Sequence, residues 1–321
     1  MLYSIGPTQN SSNFKVKNFK AKIILSIVII AAFCGALAFL LFANYGNKNP
    51  EPTSVEEIIE IQEEEVTTSI DPKIETIGNS VLGRKIEAYT FGNADSLSSK
   101  HLLFVGGIHG GYEWNTVILA YQFIDYFKIN PEAVPANMQL TIIPVLNPDG
   151  LYKTVGKEGR FMATDIPIGT NEALGRFNAN GIDLNRNFAC KWKPESSWRG
   201  NVVSAGTSAF SEPESLAIKD FVLAKKPDAV TFWHSQGNAV YASECENGIL
   251  PATIDVMNVY ATASGYAPIK SFDAYEITGD AEGWLASIGI PAITVELETH
   301  ATIEWEENLA GVKNLIKYYL R

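Results

Sequence analysis

Short apolar runs, each stopped by glycine, histidine, asparagine or glutamate, punctuate the chain beyond residue 84. They predict strands over 85–91, 102–105, 139–145, 229–233 and 291–295. Runs of about four to eight apolar residues bounded by turn formers have the length of a strand rather than of a helix. Elsewhere apolar positions recur every third or fourth residue, which predicts helices over 116–127, 253–264, 279–288 and 304–320. Another helix is expected to open at Ser211, a natural N-cap, with Pro213 in its first turn and Glu214 at the third position of a capping box, and to run to about Lys225. Asn147-Pro-Asp-Gly150 reads as a turn. The stretch 151–211 has no clear period, and a loop of that length in a compact domain is usually functional. Strands alternating with helices imply an α/β domain whose largely parallel sheet is covered by helices.

The amino-terminal part follows a different pattern. Residues 23–42 form an unbroken apolar run of 20, long enough as a helix to span a bilayer core. Lys15, Lys17, Lys20 and Lys22 precede it, and the next positive residue after it is Lys48. The positive-inside bias then gives a cytoplasmic tail (1–22), a transmembrane anchor in the lipid bilayer (23–42), an acidic flexible stalk (43–70) and an extracytoplasmic folded domain (71–321) at the cell membrane. The alternative is a secreted protein released by signal cleavage. A signal's apolar region is shorter, about 7–15 residues, and the small-residue site Ala36-Leu-Ala38 lies inside the run. Net charge is -11 with no basic block, which excludes nucleic acid as a partner and tilts substrate choice toward cations. Of the three cysteines, Cys34 lies in the apolar run, while Cys190 and Cys245 fall in the exported part. There a disulfide between them is expected, two buried free thiols being the alternative.

Chemistry-bearing residues gather at strand ends. The run Leu102–Val105 ends in Gly106-Gly107, and His109 and Glu113 follow before the next helix. His234 ends the strand 229–233, and Glu296 ends the strand 291–295. If those strands share one sheet, their carboxyl ends are neighbours, where open α/β sheets bind ligands. Two imidazoles and a carboxylate suit zinc and leave a fourth position open, as catalytic rather than structural sites do.

In their order and spacing these residues resemble the zinc carboxypeptidase family, the funnelin type that includes the digestive carboxypeptidases and several bacterial peptidoglycan peptidases. Gly-Ile-His109 with Glu113, Asn147-Pro-Asp-Gly150, Asp183-Leu-Asn185-Arg186-Asn-Phe188, Trp233-His234-Ser-Gln236 and Val295-Glu296-Leu297 carry the resemblance, over roughly 74–321. It implies a mixed, mostly parallel eight-stranded twisted sheet flanked by helices, and one Zn2+ per chain held by His109, Glu113 and His234. The family has two residues between its first histidine and the glutamate. Here there are three, so Gly110 and Gly111 are expected to loop out the extra one. Glu296 resembles the family's catalytic glutamate, Glu298 being its near neighbour. Tyr275 resembles its mobile tyrosine, and Asn185 with Arg186 matches the pair that captures a terminal carboxylate. Arg176, or alternatively Arg160, would polarise the scissile carbonyl. Glu282 falls where the family reads the side chain of the departing residue, and a carboxylate there would favour a basic or amino-bearing end such as diaminopimelate.

The function implied is a membrane-anchored, extracytoplasmic zinc metallocarboxypeptidase removing one C-terminal residue from peptides. Three alternatives stand beside it: a peptidoglycan stem-peptide hydrolase of the same family, an N-acyl amino acid deacylase, and an inactive zinc-binding module. Retention of both histidines with Glu113 and Glu296 argues against the last.

Overall fold

The computed structural model describes residues 70–92 and 99–321. The expected tail and anchor, and the stalk up to residue 69, lie outside these residues. Among the described residues no helix is long and apolar enough to cross a membrane. The strands are β1 (Lys73–Asn79), β2 (Lys85–Gly92), β3 (Lys100–Val105), β4 (Met138–Ile143), β5 (Glu195–Trp198), β6 (Asn201–Ser204), β7 (Ala229–Ser235), β8 (Ala239–Ala242), β9 (Glu244–Cys245), β10 (Gly248–Ile249), β11 (Ala267–Ile269) and β12 (Ala292–Leu297). The helices are α1 (Trp114–Ile129), α2 (Pro148–Val155), α3 (Pro213–Lys225), α4 (Pro251–Ser264), α5 (Ala281–Ser287) and α6 (Trp305–Tyr319).

Eight strands form one sheet in the order β1-β2-β4-β3-β7-β12-β8-β11. Its centre is parallel: β4 with β3, β3 with β7, and β7 with β12. Antiparallel pairs lie outside that centre, β1 with β2, β2 with β4 and β12 with β8, while β11 runs parallel to β8. The sheet is thus mixed, with helices on both faces, as the resemblance implies. Period-two alternation splits its side chains between two cores. Leu102, Phe104, Trp233, Ile293 and Val295 join a core built with α1, α4 and α6. Leu103, Val105, Val230, Phe232 and Ala292 join a second, built with α3 and α5. Central strands buried on both faces are mostly apolar, which is why their sequences read as apolar runs.

Two local expectations change. Asn147-Pro-Asp-Gly150 opens α2 rather than closing a turn: Asn147 caps the helix, its side chain accepting from Gly150 N, and Pro148 takes the first position. Ser211 is not the cap of α3. Glu212 occupies that place, and the Ser211 hydroxyl donates to Glu212 Oε1 at 2.9 Å. The stretch 151–211 is ordered by α2, the hairpin β5–β6 and three short 3-10 turns, at Ala163–Asp165, Glu172–Gly175 and Leu184–Arg186.

Candidate active site

The chain reverses its winding between β3 and β7. From β3 it passes through α1 to β4 on one side, whereas β7 lies beside β12 on the other, so a crevice opens at the carboxyl ends of β3 and β7. Glycines make the exit from β3 feasible. A Cβ on Gly106 would sit 2.8 Å from Thr116 O, and Gly107 has a φ of +62°. His109 follows, and Gly110–Glu113 form a 3-10 turn that swings Glu113 back toward the sheet. Gly110, at φ +48°, packs its α-carbon against the backbones of Gly150 and Gly175, where any side chain would collide. This turn accommodates the extra residue between His109 and Glu113.

His234 arrives from β7, and the donor atoms of His109, Glu113 and His234 all lie within 4.8 Å of one another. His234 Nδ1 is 3.1 Å from Glu113 Oε2. Donors about 2 Å from a common ion lie roughly 3–3.5 Å apart in tetrahedral geometry. Both His109 Nδ1 and Glu113 Oε2 are buried without a hydrogen-bond partner among the described residues. Buried polar atoms left bare in this way cost free energy unless a ligand satisfies them. The donor set, its spacing and its unmet atoms therefore fit zinc. Asp183 lies beside His109, its Oδ1 3.6 Å from Nδ1 and outside hydrogen-bond range. Asp183 is itself fixed by Arg176 Nε at 2.8 Å and by the backbone N–H of Asn185 at 3.2 Å.

Glu296 sits on β12 in register with His234. Its Oε2 is buried and unpartnered. Burial, then the neighbouring Glu113 charge, pushes its carboxyl up to about 7. Glu298 is exposed, and its backbone N–H donates to Glu304. Arg176 lies 3.9 Å from Glu113 Oε1, with its guanidinium 4.7 Å over the Trp198 ring. Arg160, by contrast, makes an exposed pair with Asp125 at 2.7 and 2.8 Å and does not line the cavity. Asn185 Oδ1 accepts from the backbone of Ala281 at 2.8 Å. Arg186 donates to Asn185 O and Ser197 O and keeps its Nε without a partner. Tyr275 lines the same cavity, edge-on to Phe272 at 4.8 Å. Glu282 also lines it but is buried. Its Oε1 lies 3.1 Å from His234 Nε2 and accepts from Thr294 Oγ1 at 3.0 Å. Cys190 and Cys245 are joined, with their α-carbons 5.9 Å apart. The cavity holding these groups measures about 440 Å³.

Several residues at the site carry no expectation from the sequence, among them Asp183 behind the cavity wall and Asp280, which lines the cavity. Tyr112, between His109 and Glu113, accepts from Arg199 Nη1 at 3.1 Å and packs on His300 at 4.8 Å. His300 is held by Ser235, whose hydroxyl lies 2.8 Å from Nδ1. Ser235 also donates to Asn115 Oδ1, since the Asn115 amide nitrogen is engaged with the carbonyls of Thr299 and Thr302. His300 therefore carries its proton on Nδ1 and leaves Nε2 bare. Trp198 and Arg199 come from a polar hairpin with no periodic signal.

A bare three-donor metal site beside a buried carboxylate and two arginines defines a metal-dependent hydrolase of acyl or peptide bonds. The model of the zinc carboxypeptidase family matches residues 68–305, and the chain belongs to that family. It is a peptidase-type hydrolase, and the family uses zinc. The chain is 27% identical over 242 residues to gamma-D-glutamyl-L-diamino acid endopeptidase 1 of Lysinibacillus sphaericus, covering 69% of this chain and 59% of that protein. It is 24% identical over 260 residues to murein peptide amidase A of Escherichia coli (strain K12), covering 77% and 91%. Carboxypeptidase A from Helicoverpa armigera superposes with a TM-score of 0.61 at 21% identity, covering 77% of this chain and 69% of that one.

Proposed function

We propose that this protein is a membrane-anchored, extracytoplasmic zinc peptidase that cleaves the bond before a C-terminal diamino acid, with peptidoglycan stem peptides as its substrate. The observation that carries the reading is one cavity holding both signs of charge where such a residue would sit. Arg186, with a free Nε, offers a grip for a carboxylate. Asp280 lines the same space, and only one of its oxygens is taken, Oδ2 accepting from Gly283 N at 2.7 Å. Burial and the adjacent Glu282 raise the Asp280 carboxyl to about 6, so it is largely ionised at neutral pH. A diamino acid presents a carboxylate and a second ammonium group, and the names of the two bacterial relatives concern diamino-acid and murein peptides. The chain spans 59% of the first of them.

Zinc held by His109, Glu113 and His234 would polarise the carbonyl and acidify water in the site. Glu296 is placed to accept a proton from water and return it to the leaving amine. Arg176 faces the charge that grows on the carbonyl oxygen, and Tyr275 closes over the peptide. A general carboxypeptidase acting on any basic end is the second reading, since Asp280 would read lysine or arginine as well.

The test is release of the terminal residue by the full-length chain, with and without a chelator. The substrates are γ-D-glutamyl-diaminopimelate and acyl-dipeptides ending in lysine, arginine, phenylalanine or alanine. Chelator-sensitive release that is fastest for the γ-D-glutamyl substrate is expected. Equal rates on lysine and arginine dipeptides would leave the general carboxypeptidase. No preference for a cationic end would remove the role of Asp280.

A further inference from the structure

We propose that Glu282 is a positioning residue of the metal site, holding the His234 ring in the one orientation and tautomer that leaves Nδ1 free for a cation. The inference rests on the zinc peptidase reading and gives Glu282 a duty other than sorting substrates. It begins with strand parity. In β7, Val230 and Phe232 face the core shared with α5, so His234, two residues further on, faces the same way. In β12, Ala292 faces that core, which turns Thr294 and Glu296 to the same side. The parallel register places Thr294 beside Phe232 and Glu296 beside His234. The short helix α5 covers this face, anchored by Ala281, Trp284 and Leu285, and is capped by Asp280. Glu282 is the residue of α5 delivered directly behind the histidine.

The contacts follow from that placement. Glu282 is 3% exposed, and its Oε1 is shared between His234 Nε2 at 3.1 Å and Thr294 Oγ1 at 3.0 Å. At the opposite edge of the same ring, Nδ1 is 3.1 Å from Glu113 Oε2, without hydrogen-bond geometry. A neutral imidazole carries one N–H. A carboxylate can only accept, so it draws that proton to Nε2, and the Nδ1 lone pair then points at the place where Glu113 also points. The hydrogen bond also makes the ring a more basic ligand, which is why carboxylate partners behind metal-binding histidines support affinity. Thr294 fixes the carboxylate, so strand β12 braces the ligand of strand β7. An oxygen engaged twice and buried behind a histidine is poorly placed to greet a substrate ammonium group, which Asp280 can reach from the cavity.

The experiment is zinc affinity of the full-length chain, measured by competition with a chromophoric chelator, together with the visible spectrum of the Co2+-substituted protein. Glu282→Ala is expected to weaken zinc binding by about ten- to a hundredfold and to shift the cobalt bands. Glu282→Gln keeps an accepting oxygen and should lose less. Thr294→Val leaves the carboxylate in place but unbraced and should show a smaller weakening in the same direction. In zinc-saturated Glu282→Gln the ratio of rates on basic and neutral ends should stay near that of the parent. Unchanged zinc affinity in both Glu282 variants, or lost selectivity at unchanged affinity, overturns the proposal. A parent chain that binds no zinc fails earlier and takes the zinc peptidase reading with it.

Discussion

Glu296 owes its chemistry to where it is kept. Burial, then the Glu113 charge, holds its carboxyl up to about 7, so near neutral pH it can both take and give a proton. As the proposed base, Glu296 must be ionised, so kcat/KM should rise with pH along an acid limb. A bound cation favours the carboxylate, so that limb lies at or below pH 7. Glu296→Gln should lower kcat by about 10²–10⁴ and abolish the limb while zinc content stays unchanged. Retention of the limb in that variant would assign it to another group. Arg176 makes a different prediction. Its guanidinium is clamped between Asp183 and the Trp198 ring and is already aimed at the Glu113 side of the site. Such a preset cation stabilises charge that forms during reaction, so Arg176→Ala should cost about 10²–10³ in kcat with a much smaller change in KM. Steady-state kinetics on one good substrate separates the two effects. A change confined to KM would make Arg176 a binding residue.

At the scale of elements, legibility depends on whether a strand or helix had to be apolar. β3, β7 and β12 are buried on both faces, so their runs announce them, and the ligands at their ends are legible with them. β1 is an edge strand with mostly exposed or half-buried positions, and Lys73-Ile-Glu-Thr alternates too weakly to stand out. The hairpin β5–β6 is polar because it packs over a cavity rather than a core, which hid Trp198 and Arg199. α2 was obscured because Asn-Pro serves a turn and a helix start equally well, and only the packing of Leu151 and Val155 against the core decides. His101 is a further polar residue that an apolar strand conceals. It is buried in β3, with Nε2 2.9 Å from Thr141 Oγ1, and burial lowers its pKa from 6.5 to about 4. Between those two values the unfolded chain takes up a proton that the folded chain refuses. Stability should therefore fall as pH drops through that window, by on the order of 3 kcal/mol at its lower end. Urea unfolding at pH 7.5 and pH 4.5 should show this slope in the parent and much less of it in His101→Gln. An identical slope in both would place the effect elsewhere.

For the whole molecule, two features far apart in the chain support the proposed placement of the domain outside the cytoplasmic membrane. One is the apolar run 23–42, with four lysines before it and only Lys48 soon after, which favours a cytoplasmic amino terminus. The other is the Cys190–Cys245 bridge, 55 residues across, which ties the segment following Asn185 and Arg186 to β9 beside α5. Such bonds persist in oxidising compartments and are rare in the cytosol. Neither feature depends on the other, since one concerns insertion and the second concerns redox environment. A peptidase whose substrate lies outside the cytoplasmic membrane needs this topology, with the acidic segment 43–70 proposed as its spacer. Protease added to intact cells stripped of their wall should therefore remove the domain after residue 70 and spare the amino-terminal lysines. Alkylation without prior reduction should leave Cys190 and Cys245 unlabelled. A protected domain with freely labelled thiols would place the enzyme in the cytoplasm and turn the proposed substrate from intact wall peptides to fragments taken up by the cell. Release of the domain into the medium would instead identify residues 23–42 as a cleaved signal.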